Sequence, residues 1–131
     1  MVGKGSLEIY VTKLFDRWAK GEAISDTSLC QAVSEIEDGL VEANLGGGLY
    51  KKRIGGRGKG KRGSYRTLLA FKSENRAVFV FGFAKKEKSN IDDKEKKVLK
   101  RLAKEFLEHS SKKIKQQITA KTLRKLECQN E

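Results

Sequence analysis

The strongest chemical signal in the sequence is a run of basic residues interleaved with glycines. The run contains no Asp or Glu, and its cations are Lys51, Lys52, Arg53, Arg57, Lys59, Lys61, Arg62 and Arg66. The glycines between them remove side-chain bulk, so backbone amides and basic side chains could both approach a phosphate closely. The run lacks the GxxxxGK[ST] spacing of a nucleotide-binding P-loop. Its predicted chemistry is binding to the backbone of RNA or DNA.

The same residue types could also cleave RNA. Cleavage without a metal requires a proton acceptor for the 2′-hydroxyl, stabilisation of the pentacoordinate phosphate and a proton donor for the 5′-oxygen. Arg66 and Arg53 suit the second task, because guanidinium groups stay charged and bind phosphate oxygens in a bidentate manner. Lys51 or Lys86 is a candidate general acid or base, since a lysine among like charges gives up its proton more easily. We expect no metal and no cofactor, because the basic run lacks a cluster of ligand-type residues.

Composition sets the class of protein that must position these residues. The 131 residues predict one domain, and Lys and Arg outnumber Asp and Glu by 29 to 17, which gives a net charge of +12. Such an excess favours a polyanionic partner. With no apolar run long enough to span a bilayer, we expect a cytoplasmic protein without a membrane partner. Cys30 and Cys128 have no CxxC or Cys/His spacing, so we expect two free thiols rather than a disulfide or a zinc site.

The first half of the chain predicts a strand and two helices. An extended stretch from Leu7 to Val11 would form an edge strand. Apolar residues at helical spacing then predict helices over Lys13–Lys20 and Ser25–Leu40, with Phe15 and Trp18 facing the core.

The second half predicts a sheet followed by helices. Tyr, Phe, Val, Leu and Thr are enriched in three segments that we expect to be strands: Leu49–Ile54, Ser64–Lys72 and Arg76–Ala84, the last one central. Phe79, Phe81 and Phe83 should alternate along one face of that central strand. An amphipathic helix is predicted from Val98 to Leu107 and a weaker helix over residues 112–126. The lysine-rich face from Lys94 to Lys104 is interpreted as a solvated surface or as a contact for an acidic protein partner.

Several segments resemble a known family when they are read in order. They are RWAKG (17–21), SLCQAVSEIEDGL (28–40), LGGGLYKKRI (45–54), GKGKRGSYRTLLAFK (58–72) and FGFAKKEKSNI (81–91). Together they resemble the HigB-like branch of the RelE/ParE toxin superfamily over about residues 9–107. The resemblance implies a single α+β domain over residues 1–131, with two N-terminal helices packed on a small antiparallel sheet and a C-terminal helical extension near residues 110–127.

The resemblance also implies an activity, partners and site residues. Toxins of this type cleave messenger RNA, usually on the ribosome, and are covered by a cognate antitoxin, here expected to be a helix-turn-helix protein. The matching motifs identify the candidate catalytic residues as Lys51, Arg53, Tyr65, Arg66 and Lys86, and the candidate RNA-binding residues as Lys52, Arg57, Lys59, Lys61, Arg62, Phe83 and Lys85. Where RelE enzymes carry a catalytic tyrosine, this chain has Asp92, and the nearby Phe83 has no hydroxyl. Either Tyr65 or a lysine takes over that role, or catalysis proceeds without it.

Two other functions fit parts of the sequence. A non-catalytic nucleic-acid-binding module would have the same composition, because charge alone gives affinity and not cleavage. A ParE-like toxin, which acts on DNA gyrase through protein contacts, would share the fold. The grouping of Lys51, Arg53 and Arg66 favours RNA cleavage over both.

Overall fold

The computed structural model describes residues 7–55 and 64–128. Its elements in chain order are β1 (Glu8–Thr12), α1 (Lys13–Gly21), α2 (Asp26–Glu37), β2 (Ala43–Gly46), β3 (Leu49–Ile54), β4 (Tyr65–Lys72), β5 (Arg76–Ala84), α3 (Asp93–Glu108), α4 (Ser111–Thr119) and β6 (Leu123–Lys125). The strands form one sheet in the order β2-β3-β4-β5-β1-β6, which confirms the α+β class. Within the described ranges, none of the helices has the length and apolar character needed to cross a membrane.

Helices cover both faces of this sheet. On one face, α1 and α2 pack through residues such as Phe15 and Leu29 against Leu69 of β4. On the other face, α3 and α4 pack through residues such as Leu99 and Ile114 against the opposite side of the strands. Because helices lie on both sides, a central strand must be apolar on both faces, which explains the continuous apolar run in β5.

Side-chain caps set where the helices begin. The Ser25 hydroxyl accepts a hydrogen bond from the backbone N–H of Ser28 at 3.1 Å, as its sequence position predicts. Helix α2 ends at Glu37, earlier than predicted, because Gly39 adopts φ +91° and turns the chain away. Leu40, expected on the buried face of that helix, is therefore 60% exposed.

The strand order differs from the expectation at one edge. β1 was predicted to be an edge strand, but it lies between β5, to which it is parallel, and β6, to which it is antiparallel. The predicted weak helix over residues 112–126 is helical only as far as Thr119, and its last residues form β6. Lys121, at φ +66°, makes the turn between them. The short strand β2 was not predicted.

A β-bulge divides the phenylalanines of β5 between the two faces. Leu68 pairs with Phe81 while Leu69 pairs with Phe79, so Val80 is an additional residue in β5. As a result Phe79 packs in the α1/α2 core, whereas Phe81 and Phe83 belong to the α3 side. The expectation that all three share a face was wrong for Phe79, because the bulge interrupts the two-residue alternation.

The two cysteines form a disulfide, so the prediction of free thiols was wrong. Pairing of β6 with β1 carries the C-terminal segment past α2, and the Cα atoms of Cys30 and Cys128 lie 5.9 Å apart. That distance is typical of a disulfide. The residues are separated by 98 positions in sequence, and local spacing gives no information about such a contact.

Candidate nucleic-acid interface

The register of the sheet brings three of the predicted basic residues onto one face. Arg53 of β3 pairs with Arg66 of β4, and Arg66 pairs with Phe83 of β5. Residues paired across antiparallel strands point to the same side, and so does Lys51, which is two residues before Arg53. The structure therefore groups Lys51, Arg53 and Arg66, as their spacing predicted.

A carboxylate that the sequence did not single out lies between two of these cations. Glu42 forms an ion pair with Arg66, with Oε1 2.8 Å from Arg66 Nε, and its Oε2 is 3.7 Å from Lys51 Nζ. The Glu42 backbone N–H donates to the carbonyl oxygen of Lys51 at 3.0 Å, which holds the segment before β2 beside β3. Glu42 was missed because its position depends on β2, and an isolated glutamate has no motif around it.

A second contact fixes Lys51 from the other side. Its ammonium donates to Oδ1 of Asn90 at 3.1 Å, and the same oxygen accepts from the backbone N–H of Ile91 at 2.9 Å. The side chains of Lys51 and Arg66 are each only 13% exposed to solvent. Both charged groups are thus held in defined positions close to the surface.

The cationic charge of this group exceeds its anionic charge. Nη1 of Arg66 is buried and has no hydrogen-bond partner among the described residues. Arg53 is exposed and forms no ion pair in the described part of the chain. Both arginines line an open cleft of about 350 Å³ together with Leu40, Val41, Glu42 and Lys52. We call this feature the basic cleft. Its unmatched donors are suited to an anionic group that enters from solvent.

Lys52 lies on the opposite face of β3 from Lys51 and Arg53. It is 8% exposed, and its ammonium contacts Oε1 of Glu35 and the carbonyl oxygen of Leu40, each at 2.8 Å. The hydrogen bond from Lys52 is the main reason that the pKa of Glu35 is lowered. Lys52 was predicted to bind RNA, but its charge is already matched by groups in and after α2.

Tyr65 also lies on the far side of the sheet from the basic cleft. Its ring makes an edge contact with the partly buried Trp18 ring of α1, with centroids 5.7 Å apart. Burial, followed by the nearby carboxylate of Glu22, raises the pKa of the Tyr65 hydroxyl. Neighbouring residues of a strand face opposite ways, so the structure separates Tyr65 from Arg66.

The remaining candidates are distributed around the cleft. Phe83 is only 5% exposed within the α3 core, whereas the adjacent Phe81 is partly exposed. Lys85 and Lys86 are exposed in the turn after β5, with no side-chain contact to the cleft among the described residues. Asp92, at the position of the family's tyrosine, is the N-cap of α3. Four predicted residues lie outside the described ranges: Arg57, Lys59, Lys61 and Arg62.

Metal-binding side chains are not grouped in this part of the molecule. Across residues 7–55 and 64–128, no three or more His, Cys, Asp or Glu residues are placed so that they could hold a metal ion. The electropositive groups that the cleft offers are therefore its guanidinium and ammonium groups.

Fold and cleft together define a small basic α+β protein with a surface cleft of net positive charge. The family model for the RelE toxin of the RelE / RelB toxin-antitoxin system matches residues 7–126. This match covers most of the chain, which therefore belongs to the RelE toxin family and is the toxin of a toxin–antitoxin pair with a cognate antitoxin. A search of curated proteins found no significant match.

Proposed function

We propose that this toxin is a metal-independent endoribonuclease of the HigB-like branch that cleaves messenger RNA on the ribosome and so inhibits translation in the cytoplasm. The observation that carries the proposal is the excess of fixed positive charge in the basic cleft. Arg66 has a buried Nη1 without a partner, and Arg53 has no ion pair within the described residues. A phosphate of the RNA backbone would supply the missing acceptors.

Arg66 and Arg53 would stabilise the phosphate during cleavage. The contact between Arg66 Nε and Glu42 orients the guanidinium plane, and Nη1 keeps no acceptor among the described residues. Arg53 pairs with Arg66 across the strands, so both side chains can approach the same phosphate. Fixed donors directed at the developing charge are worth most when they need no rearrangement.

Glu42 and Lys51 would move the protons. The Glu42 carboxylate would accept the proton of the 2′-hydroxyl, and the 2′-oxygen would then form a bond to phosphorus. As the bond from phosphorus to the 5′-oxygen breaks, the Lys51 ammonium would give that oxygen a proton. The products are a 2′,3′-cyclic phosphate and a 5′-hydroxyl. Tyr65 and Lys86 have no role in this scheme, because neither contacts the cleft residues in the described structure.

Inhibition by the antitoxin follows from the same charge excess. A cognate antitoxin, of the helix-turn-helix type, would place an acidic segment over the basic cleft and compete with RNA for Arg53 and Arg66. Such a partner explains how a cell could keep the toxin inactive without altering its fold.

The test compares Arg66→Ala with Arg17→Ala, which removes the same charge from an exposed position on α1. Purified proteins are incubated with a short RNA, with and without ribosomes, and the chemical ends of the products are identified. We expect Arg66→Ala to slow cleavage by about 100-fold or more and to relieve growth arrest, with Arg17→Ala unchanged. Growth arrest that persists in Arg66→Ala would refute the proposal. Growth arrest by the wild-type protein in cells whose gyrase is inhibited and whose RNA stays intact would refute it as well.

A further inference from the structure

Helix α3 carries a second concentration of positive charge, outside the basic cleft. At 100° per residue, its basic side chains fall within an arc of about 160°. They define what we call the α3 cationic face: Lys94, Lys96, Lys97, Lys100, Arg101 and Lys104. The carboxylates within the same arc, Asp93 and Glu108, are the first and last residues of the helix. The middle of the helix therefore presents charge of a single sign.

Two acidic residues at the start of α3 are engaged in its cap. Asp92 and Glu95 form a capping box, in which the Asp92 carboxylate accepts from Glu95 N at 2.8 Å and Glu95 accepts from Asp92 N at 2.9 Å. Glu95 also pairs with Lys88 at 3.1 Å. In the described part of the chain, no carboxylate forms a salt bridge with a residue of the α3 cationic face. Its charge is thus left for an external partner.

The α3 cationic face begins next to the basic cleft. Asn90, which holds Lys51 at 3.1 Å, lies two residues before the N-cap of α3. Further along, the Lys100 side chain lies against Gly46 and Gly47, at the far end of β2. A line of positive groups therefore runs from Lys51, beside the first residue of β2, along α3 to Lys100, beside the last residue of β2.

We propose that the α3 cationic face binds the phosphate backbone of structured RNA outside the cleaved strand, an inference that rests on the proposed RNA cleavage. From Lys94 to Lys104 the face extends about 15 Å along the helix axis, long enough to contact several successive phosphates. Lys94, Lys97, Arg101 and Lys104 are all exposed. Because a rigid helix presents them together, the face recognises shape and charge rather than base sequence.

The chemistry of the face favours RNA over an acidic protein. The core of a protein interface is depleted in charged residues and contains apolar anchors, whereas a nucleic-acid interface is polar and strongly positive. On α3 only Val98 is a large apolar residue with substantial exposure, at 60%, and it lies outside the cationic arc. A protein partner would find charge here without an apolar anchor.

The experiment uses the triple variant Lys97→Gln, Arg101→Gln, Lys104→Gln. Its matched control, Lys112→Gln, Lys113→Gln, Lys115→Gln, removes the same charge from exposed positions of α4. Affinity is measured between about 50 and 300 mM salt for an RNA hairpin with a 2′-O-methylated single-stranded tail, which cannot be cleaved because the attacking hydroxyl is blocked. Cleavage of a short unstructured RNA is measured in parallel.

We expect the α3 variant to bind the hairpin about tenfold more weakly at low salt and to lose about 2 from the slope of log affinity against log salt. The α4 control should match wild type, and both variants should cleave the short RNA normally. Equal losses in both triple variants, or an α3 variant that binds the hairpin as wild type does, would overturn the inference. A wild-type protein that binds the hairpin with the full slope but cuts no RNA, with or without ribosomes, would instead refute the proposed cleavage and leave the α3 cationic face supported.

Discussion

Two arginine–carboxylate clusters lie toward opposite sides of the sheet, and they differ in how completely their charges are matched. In β6, Arg124 donates through Nε and Nη2 to Asp16 at 3.1 and 2.9 Å, and through Nη1 and Nη2 to Asp26 at 3.0 and 2.9 Å. One guanidinium is thus bound by two carboxylates. In the basic cleft the ratio of carboxylates to cations is reversed, because the single carboxylate of Glu42 contacts both Arg66 and Lys51.

The difference distinguishes a structural contact from the proposed binding site. The Arg124 cluster ties β6 to α1 and α2, and the hydrogen bonds from Arg124 are the main cause of the lowered pKa of both aspartates. Four of the five N–H donors of Arg124 are engaged by the two carboxylates, so little remains for a ligand. The basic cleft keeps a buried Arg66 Nη1 without a partner, a feature that costs free energy unless a ligand supplies the acceptor.

The largest effect is expected from Glu42→Gln. This substitution tests whether the carboxylate of the basic cleft differs in its role from the carboxylates that bind Arg124. This change removes the proposed proton acceptor while keeping the side-chain shape, so cleavage of a short RNA should fall by about 100-fold or more. The free energy of unfolding should fall by only about 1 kcal/mol, because the amide keeps the shape of the carboxylate and can still contact Arg66.

Asp16→Asn is the matched control for that substitution, since it also turns an arginine-bound carboxylate into an amide. We expect it to lower the free energy of unfolding and to leave cleavage unchanged. If Glu42→Gln instead destabilises the protein as much as Asp16→Asn does, and cuts RNA at the wild-type rate, then Glu42 is a structural anchor. Rate measurements and chemical denaturation of the same preparations decide between these outcomes.

The second prediction concerns the disulfide that closes the β6 side. Cys30→Ser opens a link between positions 98 residues apart. The freed chain gains entropy when unfolded, and the free energy of unfolding should fall by about 3–4 kcal/mol. Cleavage of a short RNA under native conditions should be retained, because the link lies away from the basic cleft. Wild type in reductant should match Cys30→Ser in denaturant titrations. A reductant-insensitive wild type would contradict the prediction.

The features predicted well from sequence are those set by local patterns. Two-residue alternation placed Lys51 and Arg53 on one face, and the hairpin between Lys72 and Arg76 placed β5 beside β4. The predicted helix start at Ser25 is confirmed, since Ser25 is the N-cap of α2. Each of these signals depends on residues a few positions apart, where backbone geometry alone determines which side chains are neighbours.

The features missed depend on contacts between distant segments. β1 joins the sheet beside β5 in parallel, and β6 returns from the C-terminal end to pair with β1. Neither pairing leaves a local signature, and the partner of Cys30 depends on both. Glu42 was missed for the same reason, because its contact with Arg66 forms only once β2 and β4 are assembled around β3.

The smallest effect is expected from Arg124→Met, which removes the cation from the cluster whose charges are matched. The side chains of Arg124 and Asp26 keep 39% and 43% of their exposure, so solvent screens the pair and the loss at neutral pH should be about 1–2 kcal/mol. Lys125→Met, which removes the next cation of β6, is the control. It should cost less, because the Lys125–Glu8 contact is a single exposed pair at 3.8 Å.

The loss caused by Arg124→Met should also depend on pH, in a direction that the lowered aspartate pKa values determine. Asp16 and Asp26 have a lower pKa in the folded protein than in the unfolded chain, so at acid pH the unfolded chain binds more protons. Their contribution is therefore present above about pH 4, the ordinary range of a free aspartate, and disappears as pH falls through the folded values. Arg124→Met removes the main cause of the lowering, so the difference in unfolding free energy between wild type and variant should shrink as pH falls from about 5 to 2. Denaturant titrations across that range measure it, and a difference that stays constant with pH would show that Arg124 stabilises β6 by packing rather than by charge.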